Sequence, residues 1–220
     1  MTDALPYRMY LLALDDTARG PYDRTRTGFL VRAAALTELV LRGHLVESAD
    51  GVRRVTAAGP AGDPVLDGVL EEVTDAPHGW KTLVRRHRAR TLRAVEDRLA
   101  ALGSLTVDTR RRPLPPFSAR RVTVADPAAV AALTGHVSAV LRGVGPAADA
   151  DTGDAALAAL CAVGEVPSVA PRRDGHGGRA DRARVDALTG RLGALAPGLE
   201  KAVRGLRTTM VAAQGGMGGG

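Results

Sequence analysis

A mainly helical fold with one or two short β-hairpins follows from three observations. Aromatic residues are scarce: the 220 residues hold one Trp, three Tyr and two Phe. The core must therefore be built from Leu, Val and Ala, and Ala and Leu favour helices. Apolar residues recur at helical spacing in several segments, and Asp50-Gly51 supplies a turn signal between two short runs with strand character.

Along the chain, residues 10–14 form a short apolar run closed by Asp15-Asp16, read as a strand or a first helical turn. Residues 17–26 are polar with Gly20-Pro21 and read as a loop. Phe29, Ala33, Leu36 and Val40 mark a helix over 29–42, stopped by Gly43. Residues 44–48 and 52–56 form the hairpin across Ala49-Asp50-Gly51. A short helix follows over 63–74, with Pro64 suited to its first turn. The longest helix is expected over 80–102, with Leu92, Val95, Leu99 and Leu102 as its buried stripe and Gly103 as its end. Residues 105–107 and 121–124 bracket an Arg/Pro-rich tongue, 108–120, long for a tight turn but compatible with β pairing. Helices over 127–142 (Asp126 as N-cap), 155–163, 183–195 and 200–214 complete the series, with a Gly- and charge-rich loop at 170–182. A single domain over 1–214 and a flexible Gly-rich tail over 215–220 are expected.

The location of the charge carries more than its total of +6. Residues 81–121 hold twelve cations and three acids, a net +9, whereas the rest of the chain sums to −3. Arg so outnumbers Lys (only Lys81 and Lys201) that the preference reads as compositional bias. One positive block suits a polyanionic partner, lipid or nucleic acid. No run of about 18 apolar residues suggests a transmembrane helix, and residues 1–8 do not read as a signal peptide. The lone Cys161 fits a small core residue in a reducing compartment. A cytoplasmic protein, peripherally associated with the inner face of the membrane, is expected.

Enzyme chemistry finds little support. His176 sits in a Gly-rich loop without a second His or Cys at ligand spacing, and the five His are scattered. The Gly-rich segments give neither a dinucleotide fingerprint nor a P-loop, and no G-x-S-x-G elbow occurs. No enzyme activity, cofactor or metal is therefore expected. The basic helix is more informative. On one continuous helix, Arg86, Arg90 and Arg93 share a face, as do Lys81, Arg85 and Arg88, and no acid interleaves between Lys81 and Arg93. A solvated surface is the plain alternative. In the tongue, Leu114 and Phe117 lie between Arg110, Arg111, Arg112 and Arg120, Arg121, a pattern that suits interfacial membrane contact. An ordinary loop with Phe117 folded onto the core fits equally, and a subunit-exchange arm is a third reading. A nucleic-acid-binding module is the competing reading, because 29–56 reads as helix then hairpin, like a winged helix. The basic block does not lie on that helix, however, where only Arg32 and Arg42 are cationic, so nucleic acid is the weaker partner.

Several segments, in order, resemble one family. Leu11-Leu12-Ala13-Leu14-Asp15-Asp16, the run Val31 through Leu45, Asp63-Pro64-Val65-Leu66-Asp67 ("D-x-x-L-D") and Leu92-Arg93-Ala94-Val95-Glu96-Asp97-Arg98-Leu99 ("LR-x-V-x-x-RL") are similar to segments of the Golgi phosphoprotein 3 family, including its bacterial members. The resemblance spans about residues 8–212, and the basic tongue falls where the family has a hairpin. It implies a helical bundle core wrapped by amphipathic helices. It also implies binding of phosphatidylinositol 4-phosphate and use of the hairpin for membrane contact or self-association. The family's headgroup pocket uses a Trp, an Arg on the first long helix and two Arg on the "LR-x-V-x-x-RL" helix. Arg32 and Arg93 match two of these. Glu96 stands at the last Arg, and the Trp position falls near Tyr22-Asp23. Arg90 and Arg24 are the candidates to supply the missing charge.

Overall fold

The computed structural model describes residues 3–15, 20–74, 78–111, 118–143, 145–170 and 179–215. Among these, ten α-helices and three antiparallel strand pairs are present. The chain opens with helix α1 (Leu5–Leu12), followed by the two-residue pair β1 (Leu14–Asp15) and β2 (Gly20–Pro21). The 10–14 run is thus mostly the end of a helix. It is apolar on every side because α1 is buried almost throughout, and such a run has no period to read.

Helix α2 (Arg24–Leu41) starts five residues before the periodic segment. Asp23 caps it, its side chain accepting from the Arg26 amide at 2.9 Å, and a satisfied amide at the first turn outweighs the turn signal of Gly20-Pro21. Ala33, Ala34, Ala35 and Leu36 are all fully buried, so α2 runs through the middle of the core with neighbours on every side. The predicted hairpin forms as β3 (Leu45–Ser48) and β4 (Gly51–Arg54), in register Leu45↔Arg54 to Ser48↔Gly51. Helix α3 (Pro64–Glu71) is capped by Asp63, which accepts from the amides of Val65 and Leu66.

The expected 80–102 helix is two helices, α4 (Trp80–Arg85) and α5 (Arg88–Ala101). Arg86 is extended (ψ 144°) and His87 takes a left-handed conformation (φ 55°). The physical reason is visible in the stripe. Trp80, Leu83 and Val84 are buried on α4 and Leu92, Val95 and Leu99 on α5, but a continuous helix would also need an apolar residue at 87 or 88. The sequence offers His87 and Arg88. The break sends His87 to solvent and lays the Arg88 guanidinium over the Phe29 ring, 4.5 Å from its centroid.

The tongue is a longer ladder than its ends suggest: β5 (Leu105–Arg111) pairs with β6 (Ser118–Val124), from Leu105↔Val124 to Arg111↔Ser118. Arg112, Leu114 and Phe117 lie outside the described residues, as do the centre of the 170–182 loop and residues 216–220. Helices α6 (Pro127–Arg142), α7 (Thr152–Val163), α8 (Arg179–Gly193), α9 (Pro197–Arg204) and α10 (Leu206–Gly215) complete the chain. The final expected helix is thus divided at Gly205, and Gly215 closes α10 rather than opening the tail. Buried apolar side chains from Ala4 to Met210 form one cluster, with α1, α2 and α7 at its centre and the other helices around them.

Candidate functional site

Four elements meet at Arg32. The residue projects from the middle of α2 and is 0 % exposed. Its Nε donates to the Leu83 carbonyl oxygen of α4 at 3.0 Å. Its Nη1 donates to Glu72 Oε2, just past the end of α3, at 2.5 Å, and to Thr91 Oγ1 of α5 at 3.1 Å. Its Nη2 is buried with no hydrogen-bond partner among the described residues. Burial pulls the guanidinium below its ordinary value and Glu72 opposes that pull; arginine is basic enough to remain a cation there.

Glu72 also faces Arg90, whose Nη1 lies 3.6 Å from Oε1. The two carboxylate oxygens are thus divided between a buried arginine and one whose side chain is 74 % exposed. Glu72 was not singled out by sequence reasoning, although a signal existed. Glu71 and Glu72 lie at the C-terminal end of α3, where the helix dipole disfavours carboxylates unless a cation meets them.

Around this pair lies the basic surface. Lys81, Arg85, Arg86, Arg90 and Arg93 are exposed, on α4, at the break and on α5. Arg86 Nη1 lies 2.9 Å from His78 Nε2, and its charge reaches Arg32. Arg93 has no polar contact among the described residues. The break changes the sequence-derived faces: Lys81 and Arg85 stay together on α4, and Arg90 and Arg93 on α5, but neither predicted row crosses from one helix to the other.

Glu96 is 0 % exposed and far from being an open carboxylate. Arg24 grips it with two bonds, Nη1 to Oε1 at 2.8 Å and Nη2 to Oε2 at 3.1 Å, and the Tyr10 hydroxyl donates to Oε1 at 3.1 Å. Arg24 therefore neutralises Glu96, while Arg90 serves Glu72. Tyr22 donates its hydroxyl to the Gly164 carbonyl at 2.7 Å and ties the start of α2 to the end of α7. The structure thus brings Arg32 and Arg90 together at Glu72, leaves Arg93 exposed further along α5, and places Arg24 in a separate cluster. Arg110, Arg111, Arg120 and Arg121 lie on β5 and β6.

The "D-x-x-L-D" segment is architectural. Asp63 caps α3 and accepts from the buried Tyr7 hydroxyl at 2.9 and 2.7 Å, and Asp67 accepts the Ala61 amide at 2.6 Å. A further polar group lies elsewhere: Asp154 accepts from Arg8 at 2.6 Å and contacts His136 at 2.7 Å. Among the described residues, no three His, Cys, Asp or Glu side chains gather as a metal site, and no helix is long and apolar enough to cross a membrane.

Comparison with curated proteins finds no match. Comparison with protein families matches residues 5–206 to Golgi phosphoprotein 3 (GPP34), nearly the whole described chain. The match agrees with the ordered motifs and the helical architecture, and the chain belongs to the Golgi phosphoprotein 3 family.

Proposed function

We propose that the protein binds anionic phospholipid headgroups at a membrane surface, through the cations of α4 and α5 and the basic β5–β6 hairpin. One observation carries the reading: Lys81, Arg85, Arg86, Arg90 and Arg93 are exposed within thirteen residues that contain no acid. Cations so placed repel one another unless an anion approaches, and each contributes about 1 kcal/mol at an anionic bilayer. Arginine suits the task because its planar fork meets two phosphate oxygens together. Family membership is consistent with a lipid-binding role; in this reading the headgroup is phosphatidylinositol 4-phosphate-like, with Arg32, Arg90 and Arg93 around its phosphates. Arg24, in this reading, acts indirectly by neutralising Glu96. The hairpin cations Arg110, Arg111, Arg112, Arg120 and Arg121 flank Leu114 and Phe117 for interfacial contact or self-association. The protein would then sit on the cytoplasmic face of the membrane.

Vesicle co-sedimentation tests the reading. Phosphatidylcholine vesicles containing phosphatidylserine or phosphatidylinositol 4-phosphate should retain more protein than phosphatidylcholine alone. Arg90→Glu with Arg93→Glu should abolish that difference, while Arg142→Glu with Lys201→Glu, an equal change on exposed residues elsewhere, should largely preserve it. Equal retention on neutral and anionic vesicles would refute the proposal.

A further inference from the structure

We propose that Glu72 is an internal stand-in for a phosphate, closing an arginine cleft that a phosphomonoester opens by displacing it. The inference rests on the lipid-binding reading above and adds a regulatory element to the same surface.

Three observations point to displacement. First, Glu72 occupies its place as an anionic ligand would: Oε2 is on Arg32 Nη1 at 2.5 Å and Oε1 faces Arg90 Nη1 at 3.6 Å. Second, the cleft is undercompensated. Arg32 and Arg90 contact the single carboxylate, and the charge of Arg86 also reaches Arg32. Arg32 Nη2 is buried without a partner, although a purely structural ion pair would be expected to satisfy it. A phosphomonoester carries a charge of about −1.5 to −2 and three strong acceptor oxygens. It could therefore engage Nη2 as well as Nη1 and Arg90, which the two oxygens of Glu72 do not. Third, Glu72 sits at an unfavourable place on its helix. It is the C-cap of α3, where the helix dipole repels a carboxylate, and its side chain is 10 % exposed while Arg32 is sealed beneath it. As the C-cap it lies just beyond the last helical residue, Glu71, so in the proposed displacement it turns outward without unfolding the helix.

The chemistry is shared by a lipid headgroup phosphate and a free phosphate, and the experiment separates them. Wild type, Glu72→Gln and Glu71→Gln are compared on phosphatidylcholine vesicles with and without phosphatidylinositol 4-phosphate. Glu71 is the exposed neighbour, so its substitution removes the same charge without touching Arg32. General electrostatics allows Glu71→Gln a gain of up to about fivefold, from roughly 1 kcal/mol per surface charge. Glu72→Gln should gain at least about tenfold, and only on vesicles that carry the phosphomonoester. Equal gains for the two variants, or weaker binding by Glu72→Gln, overturn the inference and leave the lipid-binding reading intact. Failure of wild type and both variants on every anionic vesicle removes the lipid-binding reading as well. Inorganic phosphate supplies the other arm: if it raises the melting temperature of Glu72→Gln more than that of wild type while vesicles show no selectivity, the occupant is free phosphate. If Glu72→Gln does not fold, Glu72→Asp, which keeps the charge but withdraws it from Arg32, should still bind more tightly than wild type, and no gain overturns the inference.

Discussion

Replacing Glu72 by leucine should cost more stability than replacing Arg32 by methionine, although both substitutions break the same ion pair. In Glu72→Leu the guanidinium of Arg32 remains at 0 % exposure, held only by the Leu83 carbonyl and Thr91. Removing one partner of a buried pair leaves an uncompensated charge and costs about 3–5 kcal/mol. In Arg32→Met the residue left behind is Glu72, whose side chain is 10 % exposed and still has Arg90 Nη1 3.6 Å away as a partner. The loss there is nearer the net worth of hydrogen bonds to a charged group, about 2 kcal/mol. The double variant leaves neither charge stranded, so its loss should fall short of the sum of the singles by at least about 2 kcal/mol. Urea unfolding followed by circular dichroism and by Trp80 fluorescence measures all three. With a slope of about 2–3 kcal/mol per molar urea, Glu72→Leu should move the midpoint down by about 1–2 M. A smaller loss for Glu72→Leu than for Arg32→Met, or strict additivity in the double variant, would refute the description of Arg32 as a buried cation dependent on one carboxylate.

Three further outcomes are expected. Burial tends to raise the Asp154 carboxyl, but His136 and Arg8 outweigh it and hold the group below the ordinary carboxylate value. A depressed folded value means that its stabilisation is complete above the unfolded value and disappears as pH falls through the folded one. Asp154→Asn should therefore cost about 2 kcal/mol at neutral pH, a difference that persists down to about pH 4 and shrinks in stronger acid, as read by denaturation at a series of pH values. Gly198→Ala should destabilise by about 2–3 kcal/mol in thermal or urea melts, because a Cβ there runs into Glu47 Oε1 and Trp80 Cδ1 and disrupts the Glu47 cap on the Gly198 amide. Burial pushes the Cys161 thiol up, so a disulfide reagent such as Ellman's should leave it untouched in the native protein and titrate it after unfolding.

Local chemistry was legible in the sequence where one residue decides an element. Asp50-Gly51 fixed the hairpin turn, Asp126 was recognisable as the cap of α6, and Pro64 marked the first turn of α3. Uniformly apolar segments were harder. In α1 every neighbour is core, so no periodicity separates helix from strand. The break at 86–87 required weighing an absent apolar residue against good helix formers on both sides. The candidate site was legible only in part. Arg32 was visible through resemblance, but its partner lies forty residues away, and no local pattern announces a long-range ion pair. The same holds for Arg24 and Glu96, seventy-two residues apart.

The interruption at His87 has a consequence for how this surface responds to ionic strength. Had residues 80–101 formed one rod, Arg85 above Arg88 and Arg86 above Arg90 would have stacked like charges one turn apart, each pair costing a few tenths of a kcal/mol in dilute buffer and less in salt. The break turns Arg88 onto Phe29, with its Nη1 donating to the Arg85 carbonyl oxygen at 3.1 Å, and gives Arg86 to His78. The helices thus owe less of their stability to counterions. A salt titration of vesicle binding will therefore report on the contact between cations and bilayer rather than on a helix melting beneath them.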